Sequence, residues 1–127
     1  MKKSKDTNVA GLPTNGQLSE DQIIKQCHVW LWNTYPALRG LNWHIANERK
    51  TTKLQGSILK AKGVVAGVPD YVINYKSKTY YVEFKTEQGK QSDSQKIIEH
   101  QLNKHGFDYR IIRSFEEFKD FINQIII

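Results

Sequence analysis

Apolar positions along the chain follow two rhythms. Ser19-Glu20-Asp21-Gln22 has the form of a capping box, in which Ser19 caps a helix and Gln22 reaches back to it. Ile23, Ile24, Cys27, Trp30 and Leu31 follow at helical spacing, so the helix runs through Trp30 or Trp32 and ends before Pro36. Leu41 to Ile45 reads as a short strand. Thr51 or Thr52 opens a second helix with Leu54, Ile58 and Leu59 on one face, and Gly63 lies past its end. The rhythm then changes to period two. Tyr71–Tyr75 and Thr79–Lys85 are rich in β-branched and aromatic residues, and the polar turn Lys76-Ser77-Lys78 joins them as a hairpin. Ser92 or Asp93 caps a third helix that carries Ile97, Ile98 and Leu102 inward and ends at Gly106. Phe107–Arg113 is a strand. Ser114-Phe115-Glu116-Glu117 is a second capping box, before a closing helix with the stripe Phe118, Phe121, Ile122 and Ile125. The order α-β-α-β-β-α-β-α predicts an α/β fold, a mixed sheet flanked by helices, with the acidic residues of the hairpin at one edge.

The chain's 127 residues suit a single domain. Residues 1–17 are polar, with Lys, Asn, Gly and Pro, and read as a flexible basic arm before a folded unit over 18–127. No apolar run approaches the ~20 residues of a membrane span, and the basic start lacks the apolar stretch of a signal peptide. Cys27 is the single cysteine, which excludes an internal disulfide or a cysteine-based metal cluster and fits a reducing compartment. Its place in the apolar helical pattern favours a core thiol over a nucleophile. A net charge of +6 favours a polyanionic partner, although the N-terminal arm supplies part of the excess.

The hairpin also concentrates charge. Side chains alternate faces along a strand, so Glu83 and Lys85 share one face and Val82 and Phe84 the other. Asp70, after Gly67-Val68-Pro69, starts the first strand, and the antiparallel return brings Glu83 beside it. A solvated Glu83–Lys85 pair and an ordinary turn aspartate would account for these residues without any function. Alternatively, the two carboxylates bind a hard divalent cation, Mg²⁺ or Mn²⁺, with the backbone carbonyl of Phe84 as a further ligand. Such an ion activates water and neutralises charge on a phosphoryl transition state, while Lys85 adds positive charge and orients the nucleophile.

The segments GVPD at 67–70, VEFK at 82–85 and TEQGKQSDSQK at 86–96 resemble the VRR-NUC family of the PD-(D/E)xK nuclease superfamily. The likeness extends from about Ser19 to Phe121. It implies a restriction-endonuclease-like core and metal-dependent DNA cleavage, with structured DNA such as flaps or four-way junctions as substrate. By it, Asp70 and Glu83 are metal ligands, Lys85 is the catalytic lysine, and Gln95 faces the site from the following helix. The family's additional acid falls on Glu20, with Glu48 as a rival; a first-turn acid that complements the helix dipole is the plain alternative for Glu20. His44 and Asn47 match a His-x-x-Asn stretch of phage members, in which a proline often stands where this chain has Ala46. The resemblance also implies a homodimer and a cytoplasmic location in a bacterial or phage-infected cell.

Lys90, Lys96, Lys104, Arg49, Lys50, Lys53, Lys60 and Lys62 are candidates for phosphate contacts, each of which could equally be solvated surface. Arg110 and Arg113 leave the last strand with no assigned end. No element for base readout is evident, which favours recognition of DNA shape. A DNA-binding module without cleavage and a metal-dependent RNase are the competing functions. Trp30 and Trp32 lie about 200° apart on a helix, so only one can face the core. The other is exposed, covered by a partner, or covered by another part of the chain.

Overall fold

A computed structural model describes residues 18–46 and 52–126. The expected basic arm, Asn47, Glu48, Arg49, Lys50 and Ile127 lie outside the described residues. The elements are α1 (Glu20–Thr34), a 3-10 turn (Pro36–Leu38), β1 (Asn42–His44), α2 (Lys53–Ala61), β2 (Tyr71–Tyr75), β3 (Lys78–Phe84), α3 (Asp93–Lys104), β4 (Asp108–Ile112) and α4 (Phe115–Ile125). The sheet order is β1-β2-β3-β4, antiparallel except for the parallel pair β3–β4. The expected mixed sheet and element order are therefore present.

Local chemistry sets most of the boundaries. Ser19, Thr52 and Ser92 each form a reciprocal capping box, with Gln22, Gln55 and Gln95 respectively. The box expected at α4 is only half formed. Ser114 accepts from the Glu117 amide at 3.1 Å, but the Glu117 carboxylate accepts from the Arg113 amide at 3.3 Å in place of the Ser114 amide. The hairpin turn is tighter than the three polar residues suggest. Lys78 already pairs with Tyr75, leaving Lys76 (φ 48) and Ser77 (φ 66) in left-handed conformations. Positive φ at both central residues matches the twist of a two-residue hairpin.

The core lies on one face of the sheet, under α1 and α4. Tyr71, Ile73, Val82 and Phe84 pack there against Leu31 and Cys27 of α1 and Phe118 and Ile122 of α4. Burial pushes the Cys27 thiol far above its ordinary pKa, as a core role requires. The tryptophans divide as the helical angle demands. Trp30 is buried against Tyr35, Phe115 and Phe118, whereas Trp32 is 47% exposed. Arg39 covers Trp32, its guanidinium 4.7 Å from the ring centroid and its Nε donating to the Trp32 carbonyl at 2.9 Å.

The opposite face carries Asp70, Glu83 and Lys85 and is covered incompletely by α3. Neither α2 nor α3 contains a fully buried residue. Ile97, expected to point inward, is 61% exposed, and Leu54 of α2 is 71% exposed. Ile98 and Leu102 of α3, and not Ile97, line a largely apolar groove with Val64, Val65 and Val68. Among the described residues no helix is long and apolar enough to cross a membrane.

Candidate active site

The expected triad lies at the ends of the two inner strands, β2 and β3, rather than on an outer strand of the sheet. Asp70 immediately precedes β2, Glu83 lies near the end of β3, and Lys85 follows it. All three are at least nine-tenths buried: Asp70 4% exposed, Glu83 1% and Lys85 7%. A solvated surface pair does not fit such burial, because charges this deep persist only with specific partners.

Those partners are partly visible. Asp70 Oδ2 accepts from the Phe84 amide at 2.7 Å, which pins the carboxylate against the strand between Glu83 and Lys85. A strand residue's carbonyl leaves on the same edge as its amide, so the Phe84 carbonyl also faces the Asp70 side. The Asp70 carbonyl accepts from the Ile45 amide at 2.7 Å and from His44 Nδ1 at 2.8 Å. Because a carbonyl only accepts, His44 carries its proton on Nδ1. His44 thus braces the backbone of Asp70 from β1.

Glu83 is held asymmetrically. Its Oε1 accepts from the Tyr109 hydroxyl through a short hydrogen bond and from Gln91 Nε2 at 3.2 Å. Its Oε2 is buried and has no hydrogen-bond partner. Burial, the hydrogen bond to Glu83 and the charges of Glu83 and Glu99 hold the Tyr109 phenol far above its usual pKa, so it stays a donor.

Asp70 and Lys85 open onto a cavity of about 390 Å³, bounded by α2, the loop from Val64 to Val68 and the start of α3. Gln95 lines the same cavity, its Oε1 engaged by the Ser92 amide at 2.8 Å in the capping box. Gly67 makes this arrangement possible. At φ +84, a Cβ there would sit 2.4 Å from the Ser94 carbonyl carbon, so only glycine lets the loop lie against the first turn of α3.

The VRR-NUC domain family model matches residues 18–116. The chain belongs to the VRR-NUC family. A solved VRR_NUC domain protein superposes with a TM-score of 0.73 at 20% identity, over 86% of this chain and 88% of that one. At that identity the likeness speaks for the fold. No curated protein matches the sequence. The chain is therefore a member of a nuclease family with that family's mixed α/β architecture.

The remaining candidates scatter over the VRR-NUC fold. Lys60 lines the cavity, while Lys53, Lys90, Lys96, Lys62 and Lys104 are exposed. Glu20 occupies the first turn of α1, half-buried. Among the described residues no three His, Cys, Asp or Glu side chains group into a set able to hold a metal ion. Arg110 is engaged with Asp108 at 2.7 Å and lies over the Phe121 ring. Arg113 ties down the loop between Lys85 and α3, its Nη1 donating to the carbonyls of Thr86 (2.8 Å), Glu87 (3.3 Å) and Gly89 (2.7 Å).

Sequence reasoning missed Tyr109 and Gln91. Tyr109 pairs with Tyr81 across the parallel β3–β4 ladder, which puts it on the Glu83 face. The parallel register needed to see this is not encoded locally.

Proposed function

We propose that this VRR-NUC protein is a divalent-metal-dependent DNA endonuclease, with Asp70 and Glu83 as metal ligands and Lys85 as the catalytic cation. The observation that carries the reading is the buried, unpartnered Oε2 of Glu83. A carboxylate oxygen with no donor costs several kcal/mol to bury unless a cation satisfies it. Both Asp70 and Glu83 supply hard oxygen donors, which suits Mg²⁺ or Mn²⁺. The Phe84 carbonyl, on the Asp70 side of β3, is a third donor, and Glu20 is the candidate for an additional acid.

The cation, when bound, supplies Lewis-acid activation of water and of the phosphate. The protein's own residues do the rest. The Phe84 amide fixes Asp70, and Tyr109 and Gln91 fix Glu83, so both carboxylates are oriented before any ion arrives. Lys85, buried at the cavity wall, places a positive charge where a phosphate would enter and offsets negative charge that builds during hydrolysis. Gln95, on the same wall, is the candidate to orient water or phosphate through its amide nitrogen. Lys60 adds a charge at the mouth, and Lys53, Lys90 and Lys96 with Arg49, His44 and Asn47 are the candidates for contacts along the backbone of the DNA.

Branched or flapped DNA is the proposed substrate, because among the described residues no element is suited to reading base edges. A homodimer fits a two-fold-symmetric junction, and the exposed apolar side chains of α2 and α3, Leu54, Ile58 and Ile97, offer surface for it. Light scattering with and without junction DNA tests the dimer, and a monomeric mass in both cases would refute it. The activity is tested with labelled linear, flapped and four-way DNA in Mg²⁺, Mn²⁺ or EDTA. Metal-dependent cutting of the branched substrates is expected. Binding without cutting would leave a DNA-binding module, and cutting of RNA alone would leave an RNase.

A further inference from the structure

The chain of contacts around Glu83 reaches beyond the predicted triad. Tyr109 comes from β4, Gln91 from the loop before α3, and Glu99 from α3 itself. Gln91 Nε2 donates to Glu83 Oε1 at 3.2 Å and to Glu99 Oε1 at 3.3 Å. Both partners are carboxylates, so the amide nitrogen must face them, and the two hydrogens of that nitrogen are both used. Glu99 thereby fixes the orientation of Gln91. Tyr109, 8% exposed, has its hydroxyl on the same Oε1.

The choice of donors matters. A lysine or arginine at this position would cancel the charge of Glu83 and compete with a cation. A phenol and a primary amide are neutral, so they orient the carboxylate and leave its negative charge in place. They also saturate one oxygen only. Oε1 already carries two donors, and Oε2 is buried with none.

We propose that Tyr109 and Gln91 are positioning residues that lock Glu83 as a one-oxygen ligand through Oε2, tuning the site for a small octahedral cation over a larger one. The proposal rests on the metal-binding reading of Glu83 given above. Its physical basis is the difference between the two ion types. Mg²⁺ and Mn²⁺ take single oxygens in octahedral array, whereas Ca²⁺ accepts more ligands and often takes both oxygens of a carboxylate. With Oε1 held by Tyr109 and Gln91, the two-oxygen mode is closed to Glu83.

The test is direct metal binding, independent of cleavage. Mn²⁺ is titrated into the full-length protein and the free ion read by electron paramagnetic resonance; Ca²⁺ is then added as competitor. Wild type, Tyr109→Phe and Gln91→Leu are compared, with thermal melts to establish that each is folded. Loss of such an outer partner typically weakens metal binding about 10- to 100-fold. The expected result is a loss of that size for Mn²⁺ and a smaller loss for Ca²⁺, so that the Mn²⁺ preference shrinks. In cleavage assays the Mn²⁺ concentration for half-maximal rate should rise while the rate at saturating Mn²⁺ stays within a few-fold of wild type. A purely structural role would instead lower the melting temperature and reduce both affinities alike, and that outcome overturns the proposal. Unchanged Mn²⁺ binding in both variants overturns it too, as does a wild-type protein that binds no Mn²⁺. Two variants guard against a single misfolded one. Weakened Mn²⁺ binding with a narrowed preference, in a protein that cuts no DNA, would support this proposal and refute the nuclease reading alone.

Discussion

Gly67→Ala should be far more damaging than alanine at the other left-handed glycines. At Gly63 (φ +92) and Gly106 (φ +85) an added Cβ meets nothing within 4 Å, so the substitution costs only the left-handed backbone, about 1–2 kcal/mol. At Gly67 (φ +84) the same backbone cost applies, and the methyl also falls 2.4 Å from Ser94 C, 2.5 Å from Ser94 O and 2.8 Å from Gln95 N. Those are main-chain atoms in the first turn of α3 and cannot swing aside. Relieving overpacking of this kind costs about 1–3 kcal/mol more. The entropy gained by stiffening the unfolded chain is common to all three variants and cancels in the comparison. Gly67→Ala should therefore unfold at a temperature lower than Gly63→Ala by about 4–12 °C, taking about 4 °C per kcal/mol for a domain of this size. Circular dichroism melts of the three variants read this directly. The displacement would move the lead-in to Asp70 away from Gln95, so DNA cleavage should fall for Gly67→Ala and persist for Gly63→Ala. Equal melting temperatures for the two would refute the close packing of the loop on α3.

Two further predictions concern the hairpin and a half-buried histidine. Replacing Lys76-Ser77 by Asn-Gly should stabilise the protein by about 1 kcal/mol, because both positions hold φ values that these residues adopt more cheaply; an unchanged or lower melting temperature would contradict the two-residue turn. His28 donates from Nδ1 to the Tyr71 hydroxyl, which in turn donates to Asn42, and burial with the charge of His44 lowers its pKa below the ordinary 6.5. A lowered folded-state value means the unfolded chain binds the proton more readily, so this contribution to stability is present above pH 6.5 and is lost as pH falls through the folded pKa. The melting temperature should drop between pH 7.5 and 5 by less in His28→Gln than in wild type, and parallel profiles would refute the assignment.

The parts of this fold that were legible in the sequence are those written in short stretches. Ser19 signals its helix because its capping box is complete within four residues, whereas Thr52 and Ser92 were each legible as one of two adjacent starts. The hairpin is legible because its two strands are neighbours in the chain, and its alternation alone places Glu83 and Lys85 opposite Val82 and Phe84. Long-range choices were hidden. Ile97 reads as a core residue by spacing, yet α3 sets Ile98 and Leu102 along the apolar groove with Val64, Val65 and Val68 and leaves Ile97 exposed. Glu117 fits a capping box but finds the Arg113 amide instead. Tyr109 looks like one aromatic of a strand until the parallel register with β3 sets it against Glu83. Arg113 leaves the last strand with no end assigned by the sequence, and only the path of the loop from Thr86 to Gly89 shows its guanidinium spent on three carbonyls.

The central claim is that Asp70 and Glu83 together support metal-dependent hydrolysis of DNA. Single-turnover cleavage of a flapped or four-way DNA at saturating Mn²⁺ by wild type, Asp70→Asn and Glu83→Gln tests it most directly. Each variant removes one charge at nearly constant size, so each should melt as a folded protein. Cleavage should be lost from both variants, a fall of at least about 100-fold, as expected for removal of a group that stabilises charge at the reacting centre. A Glu83→Gln protein that cuts at the wild-type rate would contradict the account.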